Sequence, residues 1–324
     1  MVDFVSLWSK KTDIDTVIFV RHLGISKGKY FDWKKRYGTV NRHNAKTPRN
    51  FWIEDHERAA VLSFQEKYPL EGYRRLSFMM TDQNVAFVSP TTVYRILHAA
   101  GRLDRLPYTV SKKGTGFHQP TRPHQHWHID VTYINISGTF YYLCTILDGY
   151  SRSILHWGID EKMCEEDIEI ILERAREKYP SSKPCIISDN GPQFIAKDFK
   201  DYVRLCGMTH VRTSPYYPQS NGKIEAWHKT LKTTTIRPKA PTTLEEARLM
   251  IGKFIEHYNT ARLHSAIGYI TPNDKLHGKA DEIFATRTAK IEAARASRVE
   301  HRKLSQLVQA SILVEEIGVF INAA

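Results

Sequence analysis

Three runs decide the fold: "HWHIDVTYIN" (126–135), "TFYYLCTILD" (139–148) and "SRSILHWGI" (151–159). Each is rich in β-branched and aromatic residues, and the turns between them hold Ser137-Gly138 and Asp148-Gly149. Short polar turns of this kind predict an antiparallel meander. Side chains alternate across a strand, so Trp127, Ile129 and Val131 are expected to face a core. His128, Asp130 and Thr132 then share the opposite face. With His124 and His126 upstream, that face raises the question of a histidine metal site. The expectation is that His124 and His126 belong to the end of a basic linker and that Asp130 is the chemically important residue.

Downstream, "CEEDIEIILERAREKYP" (164–180) sets Ile168, Ile171, Leu172 and Ala175 on one helical face and stops at a proline. "KPCIISD" (183–189) is nearly all apolar and predicts a buried central strand. A helix through Phe199, Tyr202, Val203 and Cys206 follows, then a short strand at "THVRT" (209–213) and a helix opening near Gly222. The order β-β-β-α-β-α-β-α is that of a ribonuclease-H-like α/β fold, expected over residues 124–280. "TTLEEARLMIGKFIEHYNTARLH" (242–264) predicts a further amphipathic helix, and residues 281–324 a solvated helical tail.

Upstream the character is different. The net charge is +12, and 21 Lys and Arg face only 11 Asp and Glu before residue 124. A basic arm on a near-neutral domain points to a polyanion, most simply nucleic acid. Residues 1–50 read as two short helices about the turn in "HLGIS", the second capped by Ser26, a helix-turn-helix candidate. Residues 51–101 read as a second trihelical unit with helices near 54–68, 72–82 and 90–100. In the last of these Ser89 is the cap, Pro90 the first helical residue and Gly101 the stop. Arg95, Arg102 and Arg105 are placed to meet a duplex and its phosphates. Residues 102–123 form a basic linker whose Lys112 and Lys113 can follow a DNA backbone.

Four cysteines spaced without a C-x-x-C pair are expected to be reduced thiols. No apolar run spans a bilayer and the first residues do not read as a signal peptide, so a cytoplasmic protein without membrane contact is expected.

Three carboxylates carry the chemistry. Asp130 lies mid-strand, Asp189 ends the buried strand in "ISDNGPQF" (187–194), and Glu225 follows "SPYYPQSNGKI" on the next helix, with 35 residues between the last two. Asp189 lies at a strand's carboxyl end, where open α/β sheets place sites, with Asn190-Gly191 turning the chain. Oxygen donors of this kind suit Mg²⁺ or Mn²⁺. Two such ions can activate a water or 3′-hydroxyl and stabilise the leaving oxygen of a phosphodiester. Lys229 and Lys232, on the helical face of Glu225, are expected on phosphates. Tyr216, Gln219 and Asn221 are expected to stack on or bond to a DNA end. His128, Thr132 and Asn190 are expected beside the metals without ligating them. A zinc amidohydrolase barrel would need repeated βα units that the chain lacks, and a catalytically inactive DNA-binding regulator is the alternative from a different class.

At these residues the sequence resembles the D,D-35-E transposases of the retroviral-integrase-like superfamily. It is most similar to the OrfB-type catalytic protein of insertion-sequence family three. The resemblance rests on "WHIDVTYI", "LDGYSR", "ISDNGPQF", "SPYYPQSNGKIE" and "HYNTARLHSAIGYITP", with "LGISKGKYFDWKKRYG" and "GYRR" upstream. It implies a triad of Asp130, Asp189 and Glu225, two Mg²⁺ ions and binding to terminal inverted repeats. It also implies 3′-end cleavage and strand transfer into target DNA by a homo-oligomer. Members of this type often act fused to a separately encoded upstream DNA-binding protein. The setting it implies is the bacterial cytoplasm, on nucleoid DNA.

Overall fold

A computed structural model describes residues 1–38, 52–103, 119–212 and 221–322, with side chains as far as residue 308. Lys112, Lys113, Arg105, Tyr216 and Gln219 lie outside the described residues. The chain divides into two compact units, Met1–Trp52 with Arg295–Ala324, and Ile53–Ala294.

In the first unit α1 (Val2–Thr12), α2 (Thr16–His22) and α3 (Lys27–Lys35) pack around Val5, Val20 and Tyr30. The Ser26 side chain accepts a hydrogen bond from the Lys29 amide, as its position predicts. Two helices were expected here and three are found. α1 escapes a reading by apolar periodicity because Phe4, Leu7 and Trp8 remain exposed and Val5 alone is deeply buried.

The second unit begins with α4 (Asp55–Lys67), α5 (Tyr73–Asp82) and α6 (Pro90–Ala99), within a residue or two of the expected bounds. Glu54 and Glu57 close a capping box at the start of α4, and Ser89 accepts from the Thr92 amide at the start of α6. Val61, Leu76, Met80, Val93 and Leu97 form the bundle's core.

The five-stranded sheet follows: β1 (His126–Ile136), β2 (Thr139–Asp148), β3 (Ile154–Asp160), β4 (Cys185–Ser188) and β5 (Thr209–Arg212), in the order β3-β2-β1-β4-β5. β1, β2 and β3 pair antiparallel, and β1 with β4 and β4 with β5 pair parallel. The two parallel pairs need crossovers, which α7 (Glu165–Lys178) and α8 (Pro192–Ile195) with α9 (Lys197–Leu205) supply. One face buries Trp127, Ile129, Cys144, Ile146 and Ile186 against α7 and α9. The other buries Ile134, Leu143, Leu147 and Ile159 beneath α10 (Gly222–Leu231) and α12 (Leu244–Thr260). Both faces are covered, as a sheet with parallel crossovers requires. This is the ribonuclease-H-like α/β core that the element order predicts.

His124 and His126 were expected at the end of a linker; His126 instead opens β1, and His124 lies in the turn just before it. His126 is 9% exposed. The His124 amide donates to Asp148, 2.8 Å, and its ring accepts from the Trp127 indole, 3.2 Å. Asp148 is fully buried and also accepts from the Ser151 amide and hydroxyl, both 2.7 Å. One acid thus ties the start of β1 to the β2–β3 turn, its charge offset by three hydrogen bonds.

α11 (Arg237–Lys239) and α13 (Pro272–Leu276) are short, and α14 (Ala280–Asn322) is the long expected tail helix. The start of α14 fastens the α4–α6 bundle to the sheet domain. Arg287 donates to both Asp82 oxygens at 2.7 and 2.6 Å and to the Tyr269 carbonyl at 2.9 Å. Phe78 stacks on Tyr269 with centroids 5.0 Å apart, and Arg75 donates to the Leu263 carbonyl. Among the described residues no helix is long and apolar enough to cross a membrane.

Candidate active site

The register of β1 and β4 builds the site. His126 pairs with Cys185 and His128 with Ile187. Two residues further along stand Asp130, still on β1, and Asp189, just past the end of β4, so the pairing brings the two carboxylates near one another. Ser188, the last residue of β4, is fully buried, and the chain then turns. There the Asp189 Oδ1 accepts from the Gly191 amide, 2.9 Å. A Cβ at Gly191 would come within 3.1 Å of that carboxylate and 2.8 Å of the Gln193 side-chain amide, so a larger residue there would crowd Asp189.

α10 brings the third acid. Ile224, Trp227 and Leu231 are buried against the sheet and fix the helix's rotation. Glu225, one position after Ile224, is consequently exposed on the side facing the two aspartates. The three acids sense one another. Burial raises the Asp189 carboxyl, and the Asp130 charge raises it further against the pull of the Gly191 amide. Glu225 is raised by burial, then by Asp130 and Asp189, with His228 opposing. Such mutual repulsion is what a bound cation relieves. Carboxylates are the hard oxygen donors that Mg²⁺ or Mn²⁺ takes, so the donor set fits a divalent ion. Among the described residues no three His, Cys, Asp or Glu side chains already converge closely enough to hold one.

The surrounding groups are a mixture of expected and unexpected. Lys232 donates to Thr132, 2.7 Å, and its ammonium is lowered by burial and Arg237 while Asp130 opposes the shift. Lys229 and Asn190 are exposed. His128 is 1% exposed and lies 3.4 Å from the Asn221 oxygen, and burial, with Lys223 and Arg152 nearby, pushes its pKa down to about 3. Asn221 was expected to meet DNA and is instead 3% exposed, turned inward to His128 at the start of α10. Arg102 folds back onto α4, reaching Glu66 at 2.7 Å and Gln65 at 3.2 Å, whereas Arg95 is exposed on α6. A DNA contact by Arg102 would therefore compete with its bonds inside the bundle.

Two residues were not anticipated. His228 is 5% exposed and bridges Thr145, 2.8 Å, and Asp130, 3.4 Å. Its signal was present, since a residue three after Glu225 lies on the same helical face. Lys223 donates to the Gly149 carbonyl at 3.0 Å, and burial lowers its pKa to about 8. No periodicity announced that contact, which depends on a turn 74 residues earlier.

Models of the integrase core domain match residues 120–218 and 206–272. The transposase of insertion sequence element IS904 from Lactococcus lactis is 30% identical over 48% of this chain and 62% of its own length. The transposase InsD of insertion element IS2 from Escherichia coli is 29% identical over 65% of this chain and 75% of its own. The catalytic core domain of BIV integrase aligns at 21% identity over 49% of this chain and 98% of that one, with a TM-score of 0.40. The chain thus spans about three-fifths of the lactococcal relative. It carries an integrase core domain. Within that class the relatives it resembles are transposases of bacterial insertion elements.

Proposed function

We propose that the chain is the catalytic protein of an insertion sequence. It cleaves phosphodiester bonds at the element's 3′ ends and transfers each freed 3′-hydroxyl into target DNA. The observation that supports this most is the nearness of the three acids, with Asp130 on β1, Asp189 just past the end of the adjacent β4 and Glu225 on α10. These three would hold a divalent cation, Mg²⁺ or Mn²⁺, two ions per site. Bound there, the ions supply Lewis acidity to the attacking and leaving oxygens of the phosphodiester. Hydrolysis and transesterification differ only in whether water or a 3′-hydroxyl attacks, so one site serves both steps.

The chain's own residues bind and orient the substrate. Lys229 and Lys232 continue the Glu225 face and are positioned for phosphates beside the reacting bond, with Thr132 holding the Lys232 ammonium in place. Arg95, with the basic residues before 124, holds duplex DNA through its phosphates. The remaining parts of the reading are a homo-oligomer on the terminal inverted repeats, an upstream-encoded DNA-binding partner, and a cytoplasmic setting on nucleoid DNA.

A labelled duplex carrying the element's end, incubated with Mg²⁺, tests the reading against Asp189→Asn. Nicking by the parent and none by the variant is the expected result. Equal gel shifts with no nicking by either protein would leave a DNA-binding regulator instead.

A further inference from the structure

The pairing register sets Asp130 directly across from Thr145 on β2, so their side chains lie on the same face. Thr145 is fully buried, beneath α10. From that helix His228 descends between them, its Nε2 2.8 Å from the Thr145 hydroxyl and its Nδ1 3.4 Å from the Asp130 Oδ2. The other Asp130 oxygen accepts from the Val131 amide, 3.0 Å.

We infer that His228, oriented by Thr145, is a positioning residue that holds the Asp130 carboxylate in the attitude of a metal ligand. The inference rests on the metal-site reading above. A carboxylate only accepts, so a hydrogen bond across that 3.4 Å contact requires the proton on Nδ1. Nε2 is then the acceptor, and the Thr145 hydroxyl donates to it. Thr145 therefore selects the imidazole tautomer, and the imidazole fixes the rotation of the carboxylate. The amide bonds one oxygen and His228 stands over the other, so Asp130 is confined on two sides while each oxygen keeps a lone pair for an ion. Without the chain Thr145–His228–Asp130, a short side chain flanked by two other anions would turn away from them. Groups that orient a ligand in this way are commonly worth about 10–100-fold in metal affinity or activity.

The test reads Mn²⁺ affinity, by the free-ion paramagnetic signal, on full-length protein whose fold is verified by circular dichroism. Thr145→Val removes the hydroxyl at nearly constant shape, and Thr145→Ser restores it. Thr145→Val and His228→Leu are each expected to weaken Mn²⁺ binding about 10–100-fold. Thr145→Ser and His228→Asn, which keep a donor toward Asp130, are expected to bind within a few-fold of the parent. The Thr145→Val, His228→Leu double variant is expected to be no weaker than His228→Leu alone, because both act through one chain. If Thr145→Val binds Mn²⁺ like the parent while Asp189→Asn loses it, the positioning role is overturned and the metal site stands. If Asp189→Asn also binds like the parent, the metal-site reading itself fails, and this inference with it.

Discussion

His128, fully buried, and His210 and His264, partly buried, bear on how the protein responds to acid. His128 is pushed down to about 3, and His210 and His264 to about 4, in each case first by burial and then by neighbouring cations. Folded, these imidazoles stay neutral well below the ordinary histidine value near 6.5, while the unfolded chain takes up their protons there. Their contribution is thus complete above about pH 6.5 and is lost as the pH falls toward 4. Asp189 and Glu225 work in the opposite sense, because protonating them relieves their repulsion. The histidine effect is therefore cleanest in the Asp189→Asn, Glu225→Gln chain. There the urea midpoint should fall steadily between pH 6.5 and 4.5, and a flat or rising midpoint would refute the assignment.

At the scale of elements, the β2–β3 turn meets the start of β1 in contacts too close to admit another atom, and Lys223 of α10 donates to its Gly149 carbonyl. A Cβ at Gly149 would lie 2.9 Å from the His128 Nε2 and 3.3 Å from the His126 Cβ. The ring cannot swing aside, since His128 is 1% exposed. Gly149→Ala should therefore cost about 1–3 kcal/mol by overpacking, read as a lower denaturant midpoint at unchanged m-value. A neutral result would mean that the strand moves easily. The turn itself was legible, because Asp148-Gly149 separates two β-rich runs. The histidine beneath it was not, because local sequence carries no record of which buried ring a turn will meet.

At the scale of the molecule, Arg287 joins the α4–α6 bundle, the 261–270 segment and the tail helix within the Ile53–Ala294 unit. It is 5% exposed, and Asp82 supplies the carboxylate opposite its charge. Removing the acid leaves a buried guanidinium uncompensated. Asp82→Ala should accordingly cost about 3–5 kcal/mol, and more than Arg287→Met, which removes the buried charge and keeps an apolar stem. Thermal melts of the two variants check this, and the reverse order would show that the pair does not carry the junction.

The two structured parts flanking the basic linker were each legible. Ser89-Pro90 at the start of α6 and Gly101 beyond its end mark a helix, and the stripe of Ile168, Ile171, Leu172 and Ala175 locates α7. Their packing into one unit was not legible, because Arg287, Asp82, Tyr269 and Phe78 are far apart in sequence and ordinary by type.

The sequence by itself determined most elements and named the candidate chemistry: period-2 runs make strands, capped period-3.6 runs make helices, and Asp130, Asp189 and Glu225 stand out by context. Tertiary structure alone decided the company these residues keep. The parallel pairing of β1 with β4 brings together two acids 59 positions apart, one on β1 and one just past the end of β4. The rotation of α10 turns Glu225 outward and His228 inward. The same rotation buries Asn221, which sequence reasoning sent to DNA. Periodicity reports which face of an element is apolar, and strand register and helix rotation follow from packing between segments distant along the chain.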